Sequence, residues 1–139
     1  MSNYGKLLNN LSTLKLFRIK DKLDEYIDLI NTNKKDVVDS LYELTNLEID
    51  VMNEKKIKHS IQFAGFPFYK TFADFDFSFQ PSINKDEILD FRNLRFIDKA
   101  ENILFVGSPG VGKTHLATAI GIENAKSNHS TYFTNCNDL

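Results

Sequence analysis

The 139-residue chain contains no tryptophan, one cysteine, three prolines and six glycines. A lone Cys136 cannot close an internal disulfide, and no cysteine–histidine spacing resembles a zinc site. Neither sign of charge dominates: 17 Lys and Arg face 19 Asp and Glu, a net charge of -2. No global cationic field draws this chain onto nucleic acid, so any such contact has to be a local patch. Long apolar runs are missing too. No stretch approaches the roughly 20 residues of a membrane span, and Met1 to Lys15 lacks the apolar segment of a signal peptide. The expectation is a soluble, cytoplasmic chain with no membrane partner. With 26% charged and 42% hydrophobic residues, the composition is that of a globular protein rather than a disordered tail.

Turn-formers are scarcest at the start. Residues 1–64 hold no proline and only Gly5, which is helical territory. Leu7, Leu11 and Leu14, then Ile19, Leu23, Ile27 and Ile30, recur at the spacing that lays one apolar stripe along a helix. Asn31-Thr32-Asn33 interrupts the pattern, and Asp36 is placed to cap the next helix. From there a single helix of about 28 residues is predicted, with a stripe through Val37, Leu41, Leu44 and Val51, widened by Val38, Ile49 and Met52. Gly65 and Pro67 end it. These residues, 1–65, form the expected N-terminal helical domain.

The segment 66–82 is crowded with phenylalanine. Phe75, Phe77 and Phe79 alternate with Asp76 and Ser78, the rhythm of an extended connecting segment with one buried face. It is too apolar for a free linker and has to lie against something. An amphipathic helix is expected over about Asn84 to Lys99, with Ile88, Phe91, Leu94 and Ile97 on one side. The rhythm then changes. Ile103 to Val106 read as a strand covered on both faces, a Gly/Pro-rich turn follows, then a helix from Lys113 to Lys126 and a second short strand over Thr131 to Thr134. That order opens an α/β sheet and assigns 83–139 to the first part of a second domain.

The turn carries the chemistry. Gly107-Ser108-Pro109-Gly110-Val111-Gly112-Lys113-Thr114 fits G-x-x-x-x-G-K-[ST] at every specified position, between a strand and a helix. A chance match in a chain of this composition arises about three times in a thousand. Glycines permit backbone conformations closed to other residues and leave no side chain between loop and phosphate. Successive N–H groups and the positive end of the helix then converge on an anion. In that arrangement Lys113 reaches the β- and γ-phosphates of ATP and the Thr114 hydroxyl ligates Mg²⁺. The competing reading is a plain Gly/Pro turn before a helix.

Other polar residues have bland explanations. His59, His115 and His129 share no ligand spacing and read as surface or satisfied histidines. Lys55, Lys56 and Lys58, with Lys70, are either a solvated face or contacts for duplex phosphates. The phenylalanines suit core packing better than stacking on a base. Asp74, Asp76 and Asp86 lie near aromatics without a partner for acid–base work, and Cys136 reads as a small buried apolar residue.

The runs Lys70 to Ser82, Leu94 to Ile97 and Glu101 to Ala117 resemble the IstB-like proteins, helper ATPases encoded beside the transposase in bacterial insertion sequences. These are similar to DnaC-type helicase loaders and belong to the AAA+ class. The likeness is close from Phe66 onward and looser over the helical zone. It implies an AAA+ core that binds ATP through Gly107 to Thr114, a homo-oligomer when full length, and delivery of a transposase to DNA. A replicative helicase loader is the close alternative, and a non-catalytic helical binding module the distant one. The family continues beyond the point reached at residue 139. No apolar strand ending in two acids follows Thr114, and no arginine follows Arg95. The N-terminal helix carries lysine balanced by acids where the family favours arginine. The resemblance thus implies a truncated core that binds nucleotide without hydrolysing it, with strands at 103–106 and 131–134 lacking their usual neighbours. Phosphate release above a Lys113→Ala background would refute that.

Overall fold

The computed structural model describes residues 2–138, and the chain divides into two compact units, one ending at Lys55 and the other beginning at Lys56. The division falls inside a long helix. In the first unit, α1 (Asn3–Thr13) begins where the Ser2 hydroxyl accepts the Gly5 N–H at 3.2 Å. It packs against α2 (Phe17–Asn31), and the Lys20 ammonium donates to the Ser12 hydroxyl at 2.8 Å. The long helix α3 spans Val37–Phe63. The Asp36 carboxylate accepts the Val38 N–H at 2.8 Å, the cap that its position in the sequence implied.

The buried face of α3 departs from the expected stripe. Leu44 is buried, but its companions are Ser40 and Glu48, while Val37, Val38, Leu41, Ile49 and Met52 are exposed. Polar residues can occupy that face because each finds a partner. Ser40 donates to the Asp36 carbonyl at 2.7 Å. The Glu48 carboxylate accepts the N–H groups of Arg18 and Ile19 at 2.6 and 3.0 Å. These lie at the start of α2, where Leu16 supplies no side-chain cap. Glu48 therefore does for α2 what a local cap would do, meeting donors that the helix itself leaves open.

Helix ends share one device. Lys15, Asn33, Ala100 and Asn128 adopt left-handed φ values of 59°, 51°, 53° and 63°. Each sits where two backbone N–H groups fold back on the last turn, as in Lys15 to Ser12 at 3.1 Å and Leu16 to Leu11 at 2.9 Å. This closure satisfies carbonyls that the helix would otherwise leave open. Gly65, with φ +70°, follows the end of α3.

The second unit is built around α6 (Lys113–Lys126). Leu116, Thr118, Ala119, Ile120, Ile122 and Ala125 are all buried, so this helix is covered on most of its circumference. Phe72 and Ile88 join Leu116, Ala119 and Ile120 in one cluster, with Phe75, Phe77, Ile103 and Phe105 packed on it. The aromatic segment does lie against the core, but in two short 3₁₀ turns, Phe72–Asp74 and Phe77–Phe79, rather than extended alternation. The helix expected over 84–99 is broken. The short α4 (Lys85–Asp90) leads into a 3₁₀ turn over Phe91–Asn93, Leu94 takes φ 55°, and α5 (Arg95–Asp98) follows. The break lets Leu94 point inward, where it is buried, and sets Phe91 edge-on to Phe96.

Among the described residues there is no β-strand and no sheet. This overturns the expected α/β class, a helical module followed by the strand, phosphate-loop, helix, strand opening of an AAA+ core. The two segments read as strands are irregular. Leu104 and Val106 are 85% and 84% exposed, so 103–106 has one covered face, through Ile103 and Phe105, and not two. A single ladder-like bond joins 131–134 to the rest, from the Phe133 N–H to the Ala64 carbonyl at 2.7 Å. A strand exists only by pairing with another, and here each apolar run meets helix and aromatic side chains instead of a neighbouring extended chain.

Candidate functional site

Residues 107–114 form a turn that leads directly into α6, and the structure brings all eight together. Three glycines serve for different reasons. A Cβ on Gly107 would approach Val111 Cγ2 to 3.3 Å. Gly110 has φ +82° with nothing within 4 Å of the Cβ position, so its conformation, and not crowding, requires glycine. Gly112 has φ +94°, and a Cβ there would meet Cε2 of Phe75 at 2.6 Å. Both conformation and space exclude a side chain at that position.

The Lys113 ammonium donates to the Gly107 and Ser108 carbonyls, each at 2.7 Å. It spans the loop and holds a positive charge at its mouth. Gly112 occupies the cap position of α6 and offers no side-chain acceptor. The N–H groups of Gly112, Lys113 and Thr114 consequently meet no acceptor among the described residues. Thr114 is exposed, and its hydroxyl has no partner among the described residues. Open donors at a helix start beside an ammonium group suit an anion physically. Beside the loop lies a cleft of about 320 Å³ bordered by Gln80, Ser82, Ile83 and Phe105.

The loop rests on the aromatic segment. The Phe75 ring that touches Gly112 stands edge-on to Phe77 and to His115, with centroids 4.8 and 5.1 Å away. His115 Nε2 bonds the Thr71 carbonyl at 2.9 Å. Thr71 in turn donates its N–H and hydroxyl to Asp74 at 2.7 and 2.9 Å. Those bonds, the backbone one foremost, hold the Asp74 carboxyl below its ordinary pKa. Asp76 is lowered likewise, first by the Ser78 hydroxyl and then by the Ser78 N–H. Both acids have structural partners, and no group of histidine, cysteine and acidic side chains among the described residues is placed to hold a metal ion. Cys136 is exposed, contrary to its reading as a buried residue. Lys55, Lys56 and Lys58 are exposed on α3. Sequence reasoning missed the contact between Phe75 and Gly112. Residues 37 positions apart carry no local signal of touching.

A family model for IstB-like ATP binding proteins matches residues 9–139. Over 138 residues the chain is 48% identical to a protein of insertion sequence IS232 from Bacillus thuringiensis subsp. berliner that is named for ATP binding, covering 99% of this chain and 55% of that one. It is 42% identical over 99 residues to the corresponding protein of insertion sequence IS5376 from Geobacillus stearothermophilus, covering 71% of this chain and 39% of the relative. A counterpart in insertion sequence IS21 of Pseudomonas aeruginosa is 28% identical over 123 residues, or 88% and 46% of the two chains. The chain thus spans about half the length of these relatives. No helix among the described residues is long and apolar enough to cross a membrane.

Proposed function

The chain belongs to the IstB-like ATP binding protein family, and from that premise we propose that residues 107–114 bind the triphosphate of ATP. The observation that carries this reading is the set of unpaired N–H groups of Gly112, Lys113 and Thr114 at the start of α6, beside the Lys113 ammonium. Gly107, Ser108, Pro109, Gly110 and Val111 shape the turn so that its backbone comes close to the phosphates. The ammonium exchanges the Gly107 and Ser108 carbonyls, in whole or in part, for phosphate oxygens, replacing a neutral acceptor with an anionic one so that both partners of the bond are charged. The unpartnered Thr114 hydroxyl fits a ligand for Mg²⁺, which when bound neutralises phosphate charge. The cleft bordered by Gln80, Ser82 and Phe105 receives the nucleoside.

The relatives are proteins of insertion sequences, which favours service to a transposase over loading of a helicase. We place that activity in the cytoplasm, with further copies of the chain, and with Lys55, Lys56 and Lys58 as candidate contacts for DNA phosphates. Magnesium-ATP titration of the chain by calorimetry and amide NMR tests the nucleotide reading. Loss of one charge-assisted contact is worth about 1.5–3 kcal/mol, so Lys113→Ala raises Kd at least about tenfold. Unperturbed amides over 107–114, or an unchanged Kd in the variant, overturns it.

A further inference from the structure

A second cavity, of about 410 Å³, includes the Phe75 ring in its lining. Its walls come from the aromatic segment, from α4 with the turn after it, and from the last turn of α6. Three cations line it, Lys85, Arg92 and Lys126, against one acid, Glu123. Glu123 already pairs with Lys126 at 3.2 Å. The Lys85 ammonium stands 5.5 Å over the Phe77 ring. The Arg92 guanidinium has no ion-pair or hydrogen-bond partner among the described residues. The nearby acids do not offset this excess. Asp86, Glu87 and Asp90 of α4 do not line the cavity, and Asp74 and Asp76 are engaged by Thr71 and Ser78.

A cavity with surplus positive charge, in a chain whose net charge is -2, is a local feature that background composition does not supply. Its size is that of a small-ligand site rather than of an extended macromolecular surface. A free guanidinium presents a planar fork that matches two oxygens of one oxyanion, and an ammonium adds a point charge. Phenylalanine faces offer an apolar wall to whatever bears the oxyanion. We propose that this cavity is a binding site for a phosphate group, distinct from the 107–114 loop, with Arg92 and Lys85 as its anion contacts. The phosphate belongs either to a free polyphosphate or nucleotide, or to one link of a nucleic-acid strand.

The test is amide NMR of the full chain carrying Lys113→Ala, which weakens the loop as a competitor. Inorganic tripolyphosphate and, separately, a ten-residue oligothymidylate are titrated at low salt. Tripolyphosphate is expected to shift amides of residues 85–92 and 123–126, with Kd raised at least about tenfold by Lys85→Gln with Arg92→Gln. Both side chains are exposed, so the double variant keeps the fold, which its unperturbed spectrum verifies. Shifts at those amides with the oligonucleotide alone, lost in the double variant, also support the site and assign its phosphate to a strand. No shift with either probe, or shifts that survive in the double variant, overturns the proposal.

Discussion

Gly112 is held to glycine twice, by its left-handed φ of +94° and by the Phe75 ring 2.6 Å from where a Cβ would stand. A left-handed conformation costs a non-glycine residue about 1–2 kcal/mol, and overpacking typically adds about 1–3 kcal/mol. Gly112→Ala should therefore lower unfolding free energy by about 2–5 kcal/mol in urea denaturation. Adding Phe75→Leu relieves the crowding alone, so the double variant recovers only part of the loss; full recovery would show that the ring was the whole constraint. Thr118 presents the opposite situation. It is fully buried, yet its hydroxyl finds no partner, and an unsatisfied buried hydroxyl costs about 1–3 kcal/mol. Thr118→Val keeps the shape and removes the hydroxyl, and is expected to raise the urea midpoint. A lowered midpoint would mean that the hydroxyl is satisfied after all. At this scale the motif was legible and its support was not. Every glycine of the loop stood in the sequence, whereas the ring beneath Gly112 belongs to a segment whose alternation pointed to extended chain.

Among the elements, α2 depends on a residue from another helix. Glu48 receives the Arg18 and Ile19 N–H groups, so Glu48→Ala removes a buried acceptor and leaves two donors open, at a cost of about 1–3 kcal/mol. Glu48→Gln retains a carbonyl oxygen and should lose less. Thermal unfolding of the two variants checks the order, and equal losses would point to packing rather than capping. Helices were the most legible elements because their stops are local. Asp36, Asn33 and Gly65 announced the ends of α2 and α3, and α3 runs for 27 residues where about 28 were expected. Its buried face was not legible. Periodicity selects apolar residues, but Ser40 and Glu48 are buried because their hydrogen-bond partners lie elsewhere in the chain, and no helical spacing encodes that. The strands failed for the same reason. Ile103 to Val106 encodes an apolar segment, while strandhood is a property of a pair.

Taken as a whole, the molecule has stability that tracks its carboxylates. Glu43 is held below its ordinary pKa, first by the Lys35 ammonium and then by the Tyr26 hydroxyl, and Asp74 and Asp76 are lowered by their threonine and serine donors. Lowered folded-state values mean that these groups stabilise fully above the unfolded carboxylate range of about pH 4, and that the contribution is lost as pH falls through the folded values. Urea midpoints measured between about pH 6 and pH 2.5 should therefore decline on the acid side, and Glu43→Gln should make that decline shallower. A midpoint independent of pH would contradict the assignment. Phe75 belongs to both regions: its ring touches the Cβ position of Gly112 in the loop that opens α6 and also lines the cationic cavity. A ligand that shifts this ring from either region changes affinity in the other, and reciprocity then makes the two coupling free energies equal.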